Sequence, residues 1–211
     1  MGVAIFSLEM SAVQLVKRLI ASETRLPAEK LRKGDLKEHE FQQLHSRITK
    51  LATAPIFIDD TAGISIFDFR AKCRRLKAQH NIEIIIIDYL QLMSAKDGKG
   101  GGNREQEIAE ISRNLKLLSK ELNITVIVLA QLSRKCEERA DKRPMLSDIR
   151  ESGSIEQDAD VVMFPFRPAY YSGEKLQQEE AELNIAKNRH GECYTIKTTF
   201  IGERTMYEER L

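Results

Sequence analysis

Apolar positions along the chain follow two rhythms. Unbroken or nearly unbroken apolar runs fall at residues 3–8, 55–58, 83–88 and 124–130. Runs this short, apolar on both sides, predict strands buried within a parallel sheet. Four consecutive isoleucines, Ile84, Ile85, Ile86 and Ile87, make 83–88 the most central of them. Between the runs, apolar residues recur at spacings of three and four. Ser11 offers an N-cap to a helix carrying Ala12, Leu15, Val16, Leu19 and Ile20. Residues 36–51 predict a second, more polar helix. Ser65 caps a third, with Ile66, Phe69, Cys73 and Leu76 on its stripe, and residues 104–122 place Ile108, Ile111, Leu115, Leu118 and Leu122 on one face of a fourth. Strand and helix alternate, which predicts a parallel α/β sheet.

The pattern breaks twice. Residues 96–103 hold Gly98, Gly100, Gly101 and Gly102 among charges and predict a flexible loop. After Gln131, residues 133–144 are polar and predict a mobile loop. From Asp160 onward strand-like runs dominate, at 161–166, 183–187, 194–200 and 205–207, with Gly202 marking a turn before the last. They predict antiparallel strands that extend the sheet edge. No internal repeat and no linker divides the chain.

Composition then narrows the function. At 211 residues the chain fits one ordinary domain, and 33 Lys+Arg against 32 Asp+Glu leave a net charge of +1. No global basic field recruits nucleic acid or an anionic membrane, so any nucleic-acid contact rests on local loops. Aromatics are 6% with no Trp, which disfavours a base-stacking platform and favours contact with a phosphate backbone. The longest aliphatic run is far too short to span a bilayer, and the N-terminus has neither the basic start of a secretory signal nor a myristoylation pattern. Cys73, Cys136 and Cys193 are odd in number and far apart, which fits a reducing, cytoplasmic setting. His39, His45, His80 and His190 make no metal-ligand spacing with them.

Three apolar runs end in groups with chemistry. Asp88 closes the isoleucine strand, where α/β sheets bind ligands and where phosphate-handling ATPases hold Mg²⁺. Glu9 ends the first strand run, where a carboxylate can orient and deprotonate a water. Gln131 ends the last parallel strand run, where a neutral amide can sense a γ-phosphate. Each alone also reads as an ordinary polar strand end, and Glu9 as a first-turn acid favoured by the helix dipole. In a parallel sheet the three share one edge, a rim suited to phosphoryl transfer to water. Lys187 and Arg189 alternate at a strand end, either as a solvated pair or as fixed cations for transition-state charge in a neighbouring subunit. Around Arg150, Glu151 and Gly153, residues 134–150 hold six cations and four acids. That stretch fits a phosphate-contacting loop or a plain surface loop before a helix cap.

Together these motifs resemble the DnaB-type replicative DNA helicases. Residues 3–11, Val-Ala-Ile-Phe-Ser-Leu-Glu-Met-Ser, are similar to the segment just after that family's P-loop helix. Residues 84–93, Ile-Ile-Ile-Ile-Asp-Tyr-Leu-Gln-Leu-Met, resemble its Walker B strand, and 126–134 its Gln-bearing sensor strand. Residues 146–162 resemble its DNA-facing loop and the segment after that loop, and Lys187-Asn188-Arg189-His190-Gly191 its trans-acting Lys and Arg pair. The resemblance runs in order along the chain. It implies a RecA-like ATPase core, a mostly parallel sheet with antiparallel C-terminal strands, built into a hexameric ring. It also implies ATP and Mg²⁺ as cofactors, single-stranded DNA threaded through the centre, and primase and a helicase loader as partners. By position, Glu9 matches the catalytic carboxylate, Asp88 the Mg²⁺ ligand, Gln131 the γ-phosphate sensor, and Lys187 and Arg189 the finger pair. Arg150, Glu151 and Gly153 match the DNA-backbone loop.

One departure stands out. The family's phosphate-binding loop, Gly-x-x-x-x-Gly-Lys-Ser/Thr, does not occur; Gly98-Lys99 is followed by Gly100. The first run also opens at Val3 with nothing ahead of it. The expectation is a partial motor domain that starts after the phosphate-binding loop and is inactive as an ATPase by itself. The alternatives are a non-enzymatic relative that binds DNA or caps a ring, and a recombinase-like or clock-type ATPase.

Overall fold

The isoleucine run leaves β3 (Ile82–Asp88) without a polar face, and it lies inside a sheet. The computed structural model describes residues 1–95, 103–149, 153–173 and 178–210. They form two units, Met1–Ala12 with Pro55–Asp160, and Val13–Ala54 with Val161–Leu211.

The first unit is built on a parallel sheet in the order β2-β1-β3-β4, from β1 (Gly2–Ser7), β2 (Ile56–Asp59), β3 and β4 (Thr125–Val128). Register pairs Val3 with Ile84, Ile5 with Ile86, and Ser7 with Asp88. Alternation then sends Ala4, Phe6, Ile85 and Ile87 to one face, all buried. Helices α4 (Ile66–His80) and α5 (Arg104–Leu122) supply Phe69, Cys73, Ile108, Ile111 and Leu118 to the same core. Phe6 and Phe69 meet edge to face with centroids 4.6 Å apart. Each fully buried side chain of this size contributes roughly 1.5–3 kcal/mol by leaving water. The opposite face, with Val3, Ile5, Ile84 and Ile86, is only half-buried. The Cys73 thiol is pushed up to about 12 by burial, then by Asp59, which leaves it inert as a nucleophile at neutral pH.

Local chemistry sets the helix ends. The Ser65 hydroxyl accepts the Asp68 backbone N–H at 3.1 Å, and Asn103 accepts the Glu105 N–H at 3.1 Å. Asn81 and Asn123 stop the two helices in the left-handed region at φ 48° and 50°. On the outer side Glu121 of α5 accepts from Arg74 at 2.6 and 2.9 Å and from Arg70 at 3.3 Å, tying α5 to α4.

The second unit holds α1 (Ala12–Thr24), but for its first residue, with α2 (Ala28–Lys33), α3 (Glu38–Thr53) and α7 (Pro168–Ser172). Its antiparallel sheet runs β5 (Val161–Phe166), β6 (Gln178–Asn188), β7 (Thr195–Ile201) and β8 (Met206–Glu209) in chain order. Arg167 lies 3.7 Å from the Phe200 ring centroid and pairs with Glu179 at 2.6 Å, a stacked cation held by a buried acid.

Three expectations change. The C-terminal strands do not lengthen the parallel sheet; among the described residues they pair only with one another, β6 between β5 and β7 and β7 between β6 and β8. The run at 124–130 is shorter as a strand. β4 is an edge, with Ile127 38% and Leu129 47% exposed. Residues 133–144 are not featureless, since Arg134–Glu138 form a 3₁₀ turn around the buried Cys136. The short α2, between Pro27 and Gly34, is too brief to show periodicity; Gly34 closes it at φ 72°.

Candidate functional site

Parallel pairing brings three strand ends to one edge. Ser7 lies opposite Asp88, and the Leu8 N–H donates to the Asp88 carbonyl at 2.7 Å, so Glu9 follows one residue past a backbone bond to Asp88, two residues beyond the end of β1. On the other side, Leu129 N–H donates to the Ile87 carbonyl and Leu90 N–H to the Leu129 carbonyl, both at 2.9 Å. Gln131 therefore emerges next to the loop after Asp88. Glu9 and Gln131 are exposed and Asp88 is half-buried, so all three offer polar groups to the rim. The Asp88–Tyr89 peptide bond is cis.

The neighbouring acids have other work. Asp60 accepts the first N–H of α1, from Ala12, at 2.9 Å. Asp59 lies 2.5 Å from Lys72 and also accepts from Thr61. Burial opposes its ionised form, but Lys72 and Thr61 hold its carboxyl below the usual range. A cleft of about 580 Å³ opens beside the first turn of α4, lined by Thr61, Gly63, Ser65, Asp68, Lys72 and Arg75. It contains none of the three rim residues.

Lys187 and Arg189 lie on the second unit, at and just beyond the end of β6. Asn188 shapes the turn between them and Gly191: its carboxamide oxygen accepts the His190 N–H and its nitrogen donates to the Glu192 carbonyl, both at 3.3 Å. A Cβ at Gly191 would fall 2.7 Å from the Asn188 amide nitrogen. The Asn and Gly of this motif thus hold the turn that presents the cations. Gly153 begins the short helix α6 (Gly153–Asp158), whereas Arg150 and Glu151 lie outside the described residues.

Sequence reasoning missed four side chains around this rim. Gln91 accepts the Gln131 backbone N–H at 3.1 Å, tying Gln131, three residues beyond the end of β4, to the loop after Asp88. Arg104, the first residue of α5, donates to the carbonyls of Gln91 and Met93 at 2.8 and 3.1 Å and pairs with Glu107. Arg139 grips Asp148 with two parallel bonds of 2.8 and 2.7 Å. Gln91 had one signal in the sequence, a lone polar residue between Leu90 and Leu92 in the segment after Asp88. The pairing of Arg139 with Asp148 had none, because the two stand nine positions apart in a polar loop.

The Arg139 guanidinium and the Met145 backbone N–H hold the Asp148 carboxyl below the usual range against the burial that opposes it, and the side chain is only 5% exposed. The stability it contributes is present above the ordinary carboxylate pKa and is lost as pH falls through the lower folded value. The part of the melting temperature that this carboxylate supports should therefore be lost as pH falls below about 4, and Asp148→Asn should make the acid-side fall shallower. Parallel melting curves of the two proteins over that range check this; identical slopes refute it.

A four-stranded parallel sheet with Asp88 closing a central strand, and a separate four-stranded antiparallel sheet, define an α/β protein. The solved structure of a DnaB-like replicative helicase and its interactions with primase superimposes with a TM-score of 0.91 at 38% identity, over 100% of this chain and 51% of that one. A solved ATPase domain gives the same identity and TM-score and is covered over 75% of its length. The model of the DnaB-like helicase C terminal domain matches residues 1–209, and this chain belongs to that family. It is 51% identical over 202 residues to the replicative DNA helicase DnaB of Geobacillus stearothermophilus, and 50% identical over 202 residues to the replicative DNA helicase DnaC of Bacillus subtilis. Each alignment takes in 96% of this chain and 44% of the relative, so the chain spans less than half the length of these curated relatives.

Proposed function

We propose that this chain is part of the ATP-driven motor of a hexameric replicative DNA helicase, working on single-stranded DNA alongside primase and a helicase loader. What supports the reading is a chain of the helicase family in which Asp88 closes a central strand, Glu9 follows two residues after the Ser7–Asp88 pair, and the Gln131 N–H is bonded to Gln91 in the segment after Asp88. Glu9 orients the attacking water and takes its proton. Gln131, at the end of the strand beside Asp88, senses the γ-phosphate. Lys187 and Arg189 are presented to a neighbouring subunit's nucleotide, and Arg150, Glu151 and Gly153 track the DNA backbone.

The donor set fits Mg²⁺. Among the described residues no cluster of three or more His, Cys, Asp or Glu is arranged to hold a metal. Magnesium in nucleotide sites uses one or two carboxylates and completes its shell with water and phosphate. A half-buried Asp88 at the strand end meets that need. Asp88 would hold the ion, which would supply charge neutralisation for phosphoryl transfer. No helix of the described residues is long and apolar enough to cross a membrane.

These 211 residues contain no Gly-Lys-Ser or Gly-Lys-Thr to cradle a triphosphate. The isolated chain should hydrolyse ATP at least about 100-fold more slowly than a hybrid in which it replaces the matched residues of the Geobacillus relative. The hybrid should show DNA-stimulated turnover. Turnover by the chain alone at the hybrid's rate overturns the expectation for the chain. A hybrid inert beside an active relative overturns the motor reading and favours the alternative, a DNA-binding or ring-capping module without its own catalysis, which the missing motif otherwise supports.

A further inference from the structure

Two hydrogen-bonded links join the end of the Gln131 strand to the start of the segment containing Arg150. Leu132 bridges Ile149 in antiparallel fashion, and the Ser133 N–H donates to the Asp148 carbonyl at 2.7 Å. The link lies one residue past Gln131 on one side and one residue before Arg150 on the other. Its geometry rests on Asp148. One carboxylate oxygen accepts from Arg139 at 2.8 Å; the other accepts from Arg139 at 2.7 Å and from the Met145 N–H at 2.8 Å. Arg139 further donates to the carbonyl of Arg143 at 2.8 Å. A carboxylate so fully engaged cannot rotate without breaking several charge-assisted bonds at once.

The far side of the segment is fastened to the same unit. Ser112 of α5 donates to Asp158 at 2.7 Å, and Lys116 of α5 pairs with Asp160. The first turn of α5 is itself tied through Arg104 to the carbonyls of Gln91 and Met93. Residue 149 is therefore held beside Leu132, the residue after Gln131, and Asp158 and Asp160 are held on α5. A displacement at residues 131–133 has a short, hydrogen-bonded route to residues 148–149.

We infer that Arg139 and Asp148 are positioning residues that couple the nucleotide rim to DNA binding, by keeping residues 131–133 and 148–149 in one rigid link. The inference rests on the motor reading above and adds to it the pair through which the two sites communicate. Neither residue touches nucleotide or DNA in this role. Their loss should uncouple the sites rather than stop the chemistry.

The test uses Asp148→Asn, which keeps the size of the side chain and its burial but weakens the two-pronged contact. In the 211-residue chain, amide exchange at Ser133 should accelerate, and exchange at Leu129, bonded within the sheet to Ile87, should not change. In the hybrid ring the ratio of DNA-stimulated to basal ATP turnover should drop about fivefold or more, with basal turnover retained. Arg139→Lys, which keeps the charge but not the fork, should lie between. Unchanged exchange at Ser133 overturns the inference, and so does accelerated exchange with full DNA stimulation. A hybrid without the substitution that DNA fails to stimulate overturns the motor reading itself, and the coupling role falls with it.

Discussion

Glu9→Ala in the hybrid helicase should lower ATP turnover by about 10²- to 10⁴-fold, the range a positioned general base supplies, while nucleotide binding largely survives. The expectation comes from the rim. Glu9 emerges two residues beyond the Ser7–Asp88 pair, exposed, with no structural duty comparable to that of Asp59 or Asp60. Removing it takes away the group that orients water but leaves Asp88 and the phosphate contacts. Turnover under saturating ATP and the affinity for a labelled nucleotide analogue separate the two effects. Loss of both together would contradict the assigned role, as would turnover within a few-fold of the unsubstituted protein.

The second large effect falls on Arg189. An arginine finger is worth about 10³- to 10⁵-fold in turnover, so Arg189→Ala should nearly silence the site that it completes. Because the reading gives that site to a neighbouring subunit, rings mixed from variant and unsubstituted protomers should lose more activity than the variant fraction alone predicts. Titrating variant into unsubstituted protein at constant total concentration measures this. A straight line, with activity merely diluted, rules out action in trans. The turn built by Asn188 and Gly191 presents Arg189, so Asn188 substitutions are not a clean substitute for this test.

Much of this architecture was legible from spacing. The isoleucine run, apolar on both faces, predicted a central strand, and β3 lies between β1 and β4, with one face buried and the other half-buried. Ser65 marked the start of α4, and the stripe from Ile108 to Leu118 on α5 faces the core. The family resemblance drawn from the ordered motifs agrees with the match over residues 1–209. Burial of apolar surface and capping of helix ends depend on residue type within a few positions, which is why they can be read in one dimension.

Other features depend on which distant segments meet. Nothing in the local pattern distinguishes C-terminal strands that lengthen the first sheet from strands that form their own. That outcome depends on long-range pairing, here β5 with β6 across the residues between them and β6 with β7. Asp59, Asp60, Glu9 and Asp88 are alike in sequence as acids after apolar runs. Only the fold commits the first two to Lys72 and the start of α1, and leaves the other two on the rim. Likewise Arg139 and Asp148 read as two more charges in a polar loop until chain closure buries the carboxylate against the guanidinium. Periodicity and residue type thus indicated most strands and the main helices, and the resemblance of the ordered motifs indicated the family. Tertiary structure decided which polar groups are spent on one another and which are left for chemistry, because a charge is satisfied by whatever lies within hydrogen-bond reach in space, however far away it is along the chain.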